Sequence, residues 1–211
     1  MKLKVCGMKL NIAEVAQLRP DYLGFIFWEP SSRYFDGEIP VIPHEINKIG
    51  VFVDADVQEV IQKIAKYRLQ GIQLHGNESP EYCKALVYEL KNVHKKIILI
   101  KVFSITDTFD FSLLSPYEAV CDHFLFDTKG KLPGGNGFRF DWKVLNHYPS
   151  TKPYFLSGGI GIGNLDNLEE FMQLPASKYC HALDVNSGFE LEPGLKKIEE
   201  LKELKKAIST K

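Results

Sequence analysis

The sequence predicts an α/β protein of the (β/α)8 TIM-barrel class, a single domain over residues 1–211 with short loops. Three observations carry that expectation. Apolar, β-rich runs alternate with helically periodic stretches along the whole chain, in eight pairs. Eight units in 211 residues leave about 26 residues each, near the lower end for an architecture that takes roughly 200 residues or more. The strand runs are nearly continuous in apolar residues, as parallel strands covered on both faces require. A doubly wound open sheet is the competing arrangement, but no G-x-G-x-x-G follows the first strand.

The units follow in order. LKVC (3–6) precedes NIAEVAQL (11–18), and YLGFIF (22–27) precedes a poorly defined segment where Pro40 and Pro43 shorten or displace the second helix. IGVFV (49–53) leads to DVQEVIQKIAKY (56–67), where Val57, Val60, Ile61 and Ile64 share one helical face. GIQLH (71–75) leads to SPEYCKALVYELKN (79–92), with Ser79 as N-cap and Pro80 at the first helical position. IILIKVF (97–103) is followed by a weak helical stretch at 110–119, and HFLFD (123–127) by a glycine-rich loop and FDWKVLNHY (140–148). PYFLSGG (153–159) precedes NLDNLEEFMQL (164–174), and HALDV (181–185) precedes a last helix near 195–208.

Composition narrows the function. Twenty-six basic and 27 acidic side chains nearly cancel, and no basic run is interleaved with aromatics, so a small substrate is expected rather than nucleic acid. No apolar stretch approaches the roughly 20 residues needed to span a bilayer. Lys2 and Lys4 lead into polar sequence instead of the apolar core of a signal peptide. Cysteines at 6, 83, 121 and 180 are scattered without C-x-x-C spacing, which fits free thiols and a cytoplasmic location. The histidines at 44, 75, 94, 123, 147 and 181 form no H-x-x-x-H pair, so no metal set is expected.

In such a barrel, chemistry sits on the loops at the C-terminal ends of the strands. Polar residues there are Cys6, Arg33, Asp54, His75, Lys101, Asp127 and Asp184. The turns SGG (157–159) and NSG (186–188) follow strands seven and eight, where exposed backbone N–H groups often hold a phosphate. Gly158, Gly159, Ser187 and Gly188 are therefore candidate phosphate contacts, the alternative being ordinary tight turns. Cys6 is a packing thiol or a base, and as a base it needs a cation or dipoles to ionise. Asp127 is a desolvated general acid or a cap for the following loop. The Arg33 fork suits a substrate carboxylate or phosphate, or a surface ion pair. His75 is a backbone-bonded histidine or a base. Lys101 is an ion-pair partner or a reactive amine, Asp54 and Asp184 can orient other groups, and Asp184 is also a candidate substrate contact. Trp28 and Trp142 read first as packing.

The blocks KVCGMK, GFIFWEPSSRYF, GVFVDA, IQLHG, FLFDT with GGNGFRFDW, LSGGIGIGN and LDVNSGFELEPGLK resemble the phosphoribosylanthranilate isomerase family, in order from Val5 to Lys196. The resemblance implies a (β/α)8 barrel that performs the third step of tryptophan biosynthesis from chorismate. It implies Cys6 as general base, Asp127 as general acid and Arg33 on the substrate, at its anthranilate carboxylate. It also implies no cofactor and no metal; the expected partners are a small phosphosugar-anthranilate substrate, with no nucleic acid and no membrane, and the assembly is left open between monomer and homodimer. The family's phosphate site agrees with the last two turns. Ser32 replaces a common Pro, Asn136 a common Thr or Ser, and Lys197 a usual acid. One rival keeps the phosphate site but uses Lys101 as acid, as in the related indole-glycerol-phosphate synthase. The other is a barrel that binds a sugar phosphate without turnover.

Overall fold

The computed structural model of the protein describes residues 1–91, 96–128 and 141–209. Eight parallel strands close into a barrel in chain order. They are β1 (Lys2–Val5), β2 (Tyr22–Ile26), β3 (Asn47–Phe52), β4 (Gly71–Leu74), β5 (Ile98–Ile105), β6 (His123–Thr128), β7 (Tyr154–Leu156) and β8 (Cys180–Val185). β1 closes the ring by pairing with β8, from Lys2 opposite Ala182 to Val5 opposite Val185.

Successive strand side chains point to opposite faces, and here both faces are buried. Tyr22, Ile49, Ile100, Leu125, Phe155 and Ala182 fill the barrel interior. Leu23, Phe25, Phe52, Ile72, Phe124 and Phe126 belong to the larger core shared with the helices. That double burial is why the strand runs lack polar alternation.

Among the described residues, five α-helices cover the barrel: α1 (Ile12–Gln17), α2 (Val57–Tyr67), α3 (Pro80–Leu90), α4 (Leu165–Gln173) and α5 (Ile198–Ser209). Asp56 caps α2 by accepting from the Glu59 N–H at 2.8 Å, and Val60, Ile64 and Tyr67 bury one face. Ser79 caps α3 through the Tyr82 N–H at 3.2 Å, with Pro80 in the first turn, as the sequence predicts.

The helical layer departs from a full set of eight. No second helix forms: residues 27–46 run as turns and irregular backbone, with one isolated bridge between Ile26 and Tyr34. Pro40 and Pro43 remove two backbone donors there. Phe35 covers the strand instead, packed on Phe25, Phe27 and Tyr67. The expectation of short loops fails at this connection. After β5 and β6 the crossovers are 3-10 helices, Phe111–Tyr117 with Pro116 inside it and Trp142–His147. After β8 comes an unanticipated antiparallel hairpin, β9 (Glu190–Glu192) with β10 (Leu195–Lys196), so α5 starts at Ile198 rather than 195. The glycine-rich loop with Asn136, Phe140, Asn92 and His94 lie outside the described residues. No helix among the described residues is long and apolar enough to cross a membrane.

Candidate active site

Strand geometry builds the site in two tiers. Residues two apart on a strand share a face, so Lys4 lies one step below Cys6, Gln73 below His75, and Asp184 below Asn186. The lower tier is sealed: Lys4 is fully buried, and Gln73 and Asp184 are almost so. Lys4 Nζ donates to Asp184 Oδ1 at 2.8 Å and to Gln73 Oε1 at 2.7 Å, and it stands one step below Cys6 on the same strand face. The upper tier lines a cavity at the C-terminal ends of the strands, where Cys6, Arg33 and Asp127 meet His75 and Asn186, with Gln73 and Asp184 at its floor. Ser157 and Trp28 line it too, so Trp28 is a wall of the site, whereas Trp142 is buried against Phe171. Gly24 of β2 leaves room for the thiol, because a Cβ there would lie 2.8 Å from Cys6 Sγ.

Burial pushes the Cys6 thiol up. Lys4 and Lys196 pull it down and Asp184 opposes them, leaving the thiol above its ordinary value. Burial likewise raises the Asp184 carboxyl, against the pull of Lys4. For Lys4, burial is outweighed by Asp184 and Cys6, so its ammonium holds its proton more firmly than usual.

An ammonium only donates, so Lys4 fixes the Gln73 amide with its oxygen toward Nζ and its NH2 toward His75. Gln73 Nε2 lies 3.4 Å from His75 Nδ1. In a neutral ring that makes Nδ1 the acceptor and turns the Nε2 N–H toward Asp127 Oδ2, 3.5 Å away. The other oxygen, Asp127 Oδ1, accepts from the Thr128 N–H at 3.0 Å. Asp127 thus caps its own strand end, as one of its two sequence readings has it, and also lines the cavity.

Arg33 is held from one side. Its Nε and Nη2 grip the Glu190 carboxylate, the shortest contact being Nη2 to Oε2 at 2.6 Å. Lys196 Nζ donates to the same carboxylate at 2.7 Å and to Asn186 Oδ1 at 2.8 Å. Burial works to raise the Glu190 carboxyl, but Arg33, Lys196 and the Gly194 N–H hold it below the usual range. Nη1 of Arg33 makes no hydrogen bond among the described residues, which leaves one edge of the fork for a ligand.

The SGG and NSG turns abut. Gly188 lies against the Ile160 carbonyl, so the loops after β7 and β8 form one surface. Gly158 has φ +88° and Gly159 φ +67°, a left-handed pair that strongly favours glycine. A Cβ on Gly158 would also strike Thr128 Oγ1. Asn164 braces the turn by accepting from the Gly161 N–H at 2.9 Å and donating to the Gly159 carbonyl. Ser187 and Gly188 open a short 3-10 helix, whose first N–H groups lack intrahelical partners.

The other sequence candidates fall elsewhere. Lys101 is 3% exposed and bonded to Glu78 Oε2 at 2.9 Å and to the Gly76 carbonyl at 2.8 Å, away from the cavity. Asp54 accepts from the Asn77 N–H at 2.6 Å and braces the loop after β4. His75 is engaged through side chains at the mouth instead of being satisfied by backbone alone. Lys4, Gln73, Asn186, Glu190 and Lys196 are site residues that sequence reasoning missed. For Lys4 and Gln73 a signal existed: each is a polar side chain two positions before a mouth residue, inside an apolar run.

The chain matches the family model described as "N-(5'phosphoribosyl)anthranilate (PRA) isomerase" over residues 3–207. Among curated relatives, the isomerase of Parabacteroides distasonis is 41% identical over 96% of this chain and 90% of its own. That of Phocaeicola vulgatus is 39% identical over 93% and 92%. Among solved structures, phosphoribosyl anthranilate isomerase from Thermus thermophilus superposes with a TM-score of 0.82 at 27% identity, covering 100% of this chain and 99% of that one. With agreement of that extent in sequence and in fold, the chain belongs to the N-(5'-phosphoribosyl)anthranilate isomerase family.

Proposed function

We propose that this barrel mouth catalyses the Amadori rearrangement of N-(5-phosphoribosyl)anthranilate to 1-(2-carboxyphenylamino)-1-deoxyribulose 5-phosphate, the isomerase step of tryptophan biosynthesis. The observation that carries the reading is the meeting of Cys6 and Asp127, from β1 and β6, in one cavity beside Arg33. A solved family member has been crystallised with reduced 1-(o-carboxyphenylamino)-1-deoxyribulose 5-phosphate. That ligand carries a carboxylate at one end and a phosphate at the other. The free edge of Arg33 suits the carboxylate, and the glycine turns at Gly158, Gly159, Ser187 and Gly188 suit the phosphate.

Asp127 in its protonated form donates to the ribose ring oxygen, and the furanose opens to a Schiff base. Cys6 as thiolate then removes the C2′ proton, and the resulting enolamine tautomerises to the ketone. Each acid–base step is worth about 10²–10⁴-fold in rate. Asp184, a candidate substrate contact by sequence, has one carboxylate oxygen committed to Lys4, so its main part is beneath the substrate. The synthase-like alternative needs Lys101 as acid, and Glu78 and a backbone carbonyl occupy that amine.

The test is rescue of a tryptophan auxotroph that lacks this isomerase. The wild-type chain restores growth without tryptophan and Cys6→Ala does not. Soluble wild-type protein that fails to rescue contradicts the assignment.

A further inference from the structure

A lysine sealed inside a barrel is costly unless every N–H has a partner. Lys4 has three N–H donors and no acceptor. Two donors are spent on Asp184 and Gln73. Cys6 stands on the same strand face two residues further up, and its charge couples to that of the Lys4 ammonium. The fixed ends of this bracket come from β4 and β8, strands on different sides of the barrel. Lys4 is therefore aimed at the thiol by two separate anchors.

Resting on the reading of Cys6 as the base, we propose that Lys4 is the positioning residue that makes Cys6 ionisable, by presenting a buried ammonium to the sulfur as the thiolate forms. Thiol ionisation in a dry site leaves an anion without water, and a hydrogen-bonded cation is the partner that offsets this. Asp184 has two effects: it holds Lys4 in place and, as a second anion, competes for the same ammonium. The charged groups facing Cys6 are Lys4 of its own strand, Asp184 of β8 and Lys196 of β10. The neighbouring strand β2 presents Gly24 to the sulfur. His75 and Asp127 stand across the cavity.

This makes opposite predictions for two neutralising substitutions. Lys4→Met removes the cation, so Cys6 ionises at higher pH. Asp184→Asn removes the competing anion while Lys4 stays charged, so Cys6 ionises at lower pH. A simple loss of packing produces no such reversal.

The experiment measures iodoacetamide alkylation of Cys6 against pH, quantified on the Cys6 peptide by mass spectrometry, with Cys83, Cys121 and Cys180 as internal references. The expected result is a midpoint raised by about one pH unit or more in Lys4→Met, with kcat reduced at least about tenfold and KM little changed. A midpoint that stays put in Lys4→Met overturns the proposal, even if activity falls. Should Lys4→Met fail to fold, because it strands the Asp184 carboxylate, Asp184→Asn decides alone. A lowered midpoint supports the proposal, and an unchanged or raised one overturns it. Alkylation reads the charge coupling without turnover, so its failure is separable from a failure of the base assignment, which Cys6→Ala activity reads.

Discussion

Arg33 is gripped through two of its nitrogens by Glu190, which Lys196 and the Gly194 N–H also hold. The guanidinium is thereby fixed before substrate arrives, and little of its rotamer freedom remains to be lost on binding. Replacing Arg33 with Ala is expected to raise KM by about 10–100-fold, the worth of a charged hydrogen bond, with a smaller effect on kcat. Steady-state kinetics checks this, and an unchanged KM contradicts it. Residue identities at the rim were legible because glycine turns, a lone strand-end cysteine and an arginine without structural demand stand out in a sequence. Their supports were not. Glu190 and Lys196 lie far from Arg33 in the chain, and only the β9–β10 hairpin brings them together. Lys4 was overlooked because a lysine near a terminus reads as solvent-exposed, and burial inside the barrel depends on β8 closing against β1.

Elements divide by how local their causes are. The caps of α2 and α3 were readable because Asp56, Ser79 and Pro80 act within a few residues. The missing second helix was only half readable: two prolines predict disruption, but not that Phe35 takes over its packing. The 3-10 crossovers and the β9–β10 hairpin carry no periodicity that one sequence makes visible. Gly158→Ala is expected to destabilise the protein by about 1–3 kcal/mol through the left-handed backbone and the clash with Thr128, and to raise KM. Denaturant unfolding and kinetics test this, and wild-type behaviour in both refutes the turn's role. At the opposite end of the barrel, His123 packs on His181 with ring centroids 4.6 Å apart, and its Nδ1 has no hydrogen-bond partner among the described residues. Burial, helped by His181, lowers His123 to about 4 from an ordinary 6.5. Its folded value lies below its unfolded one, so protonation favours unfolding. The stability from keeping His123 neutral is full above pH 6.5 and drains as pH falls toward 4. His123→Phe should flatten the dependence of Tm on pH in that window relative to wild type. Parallel curves contradict this.

At the scale of the molecule, the closed barrel separates chemistry from cohesion. Strands β4 and β5 are tied at their upper ends by the buried Glu78–Lys101 pair, 2.9 Å apart and outside the cavity. Lys101→Met leaves the Glu78 carboxylate buried without its cation and is expected to cost about 3–5 kcal/mol of stability, measured by urea unfolding. Activity per folded molecule should stay near wild type, and a collapse of kcat in a stable variant places chemistry on Lys101 instead. The eight-strand architecture was legible because double burial writes continuous apolar runs into the chain, and the mouth followed from the strand ends. The proposed activity stands on Cys6 and Asp127 acting as a base and acid pair on one substrate. Bell-shaped pH–rate curves do not assign the limbs to either group, so variants are the sharper probe. The decisive measurement is kcat for N-(5-phosphoribosyl)anthranilate in wild type, Cys6→Ala and Asp127→Asn, each checked for an unchanged melting transition. The predicted result is measurable turnover in wild type and a loss of about 10²–10⁴-fold in each variant; an inactive wild type, or near-wild-type turnover in either variant, contradicts it.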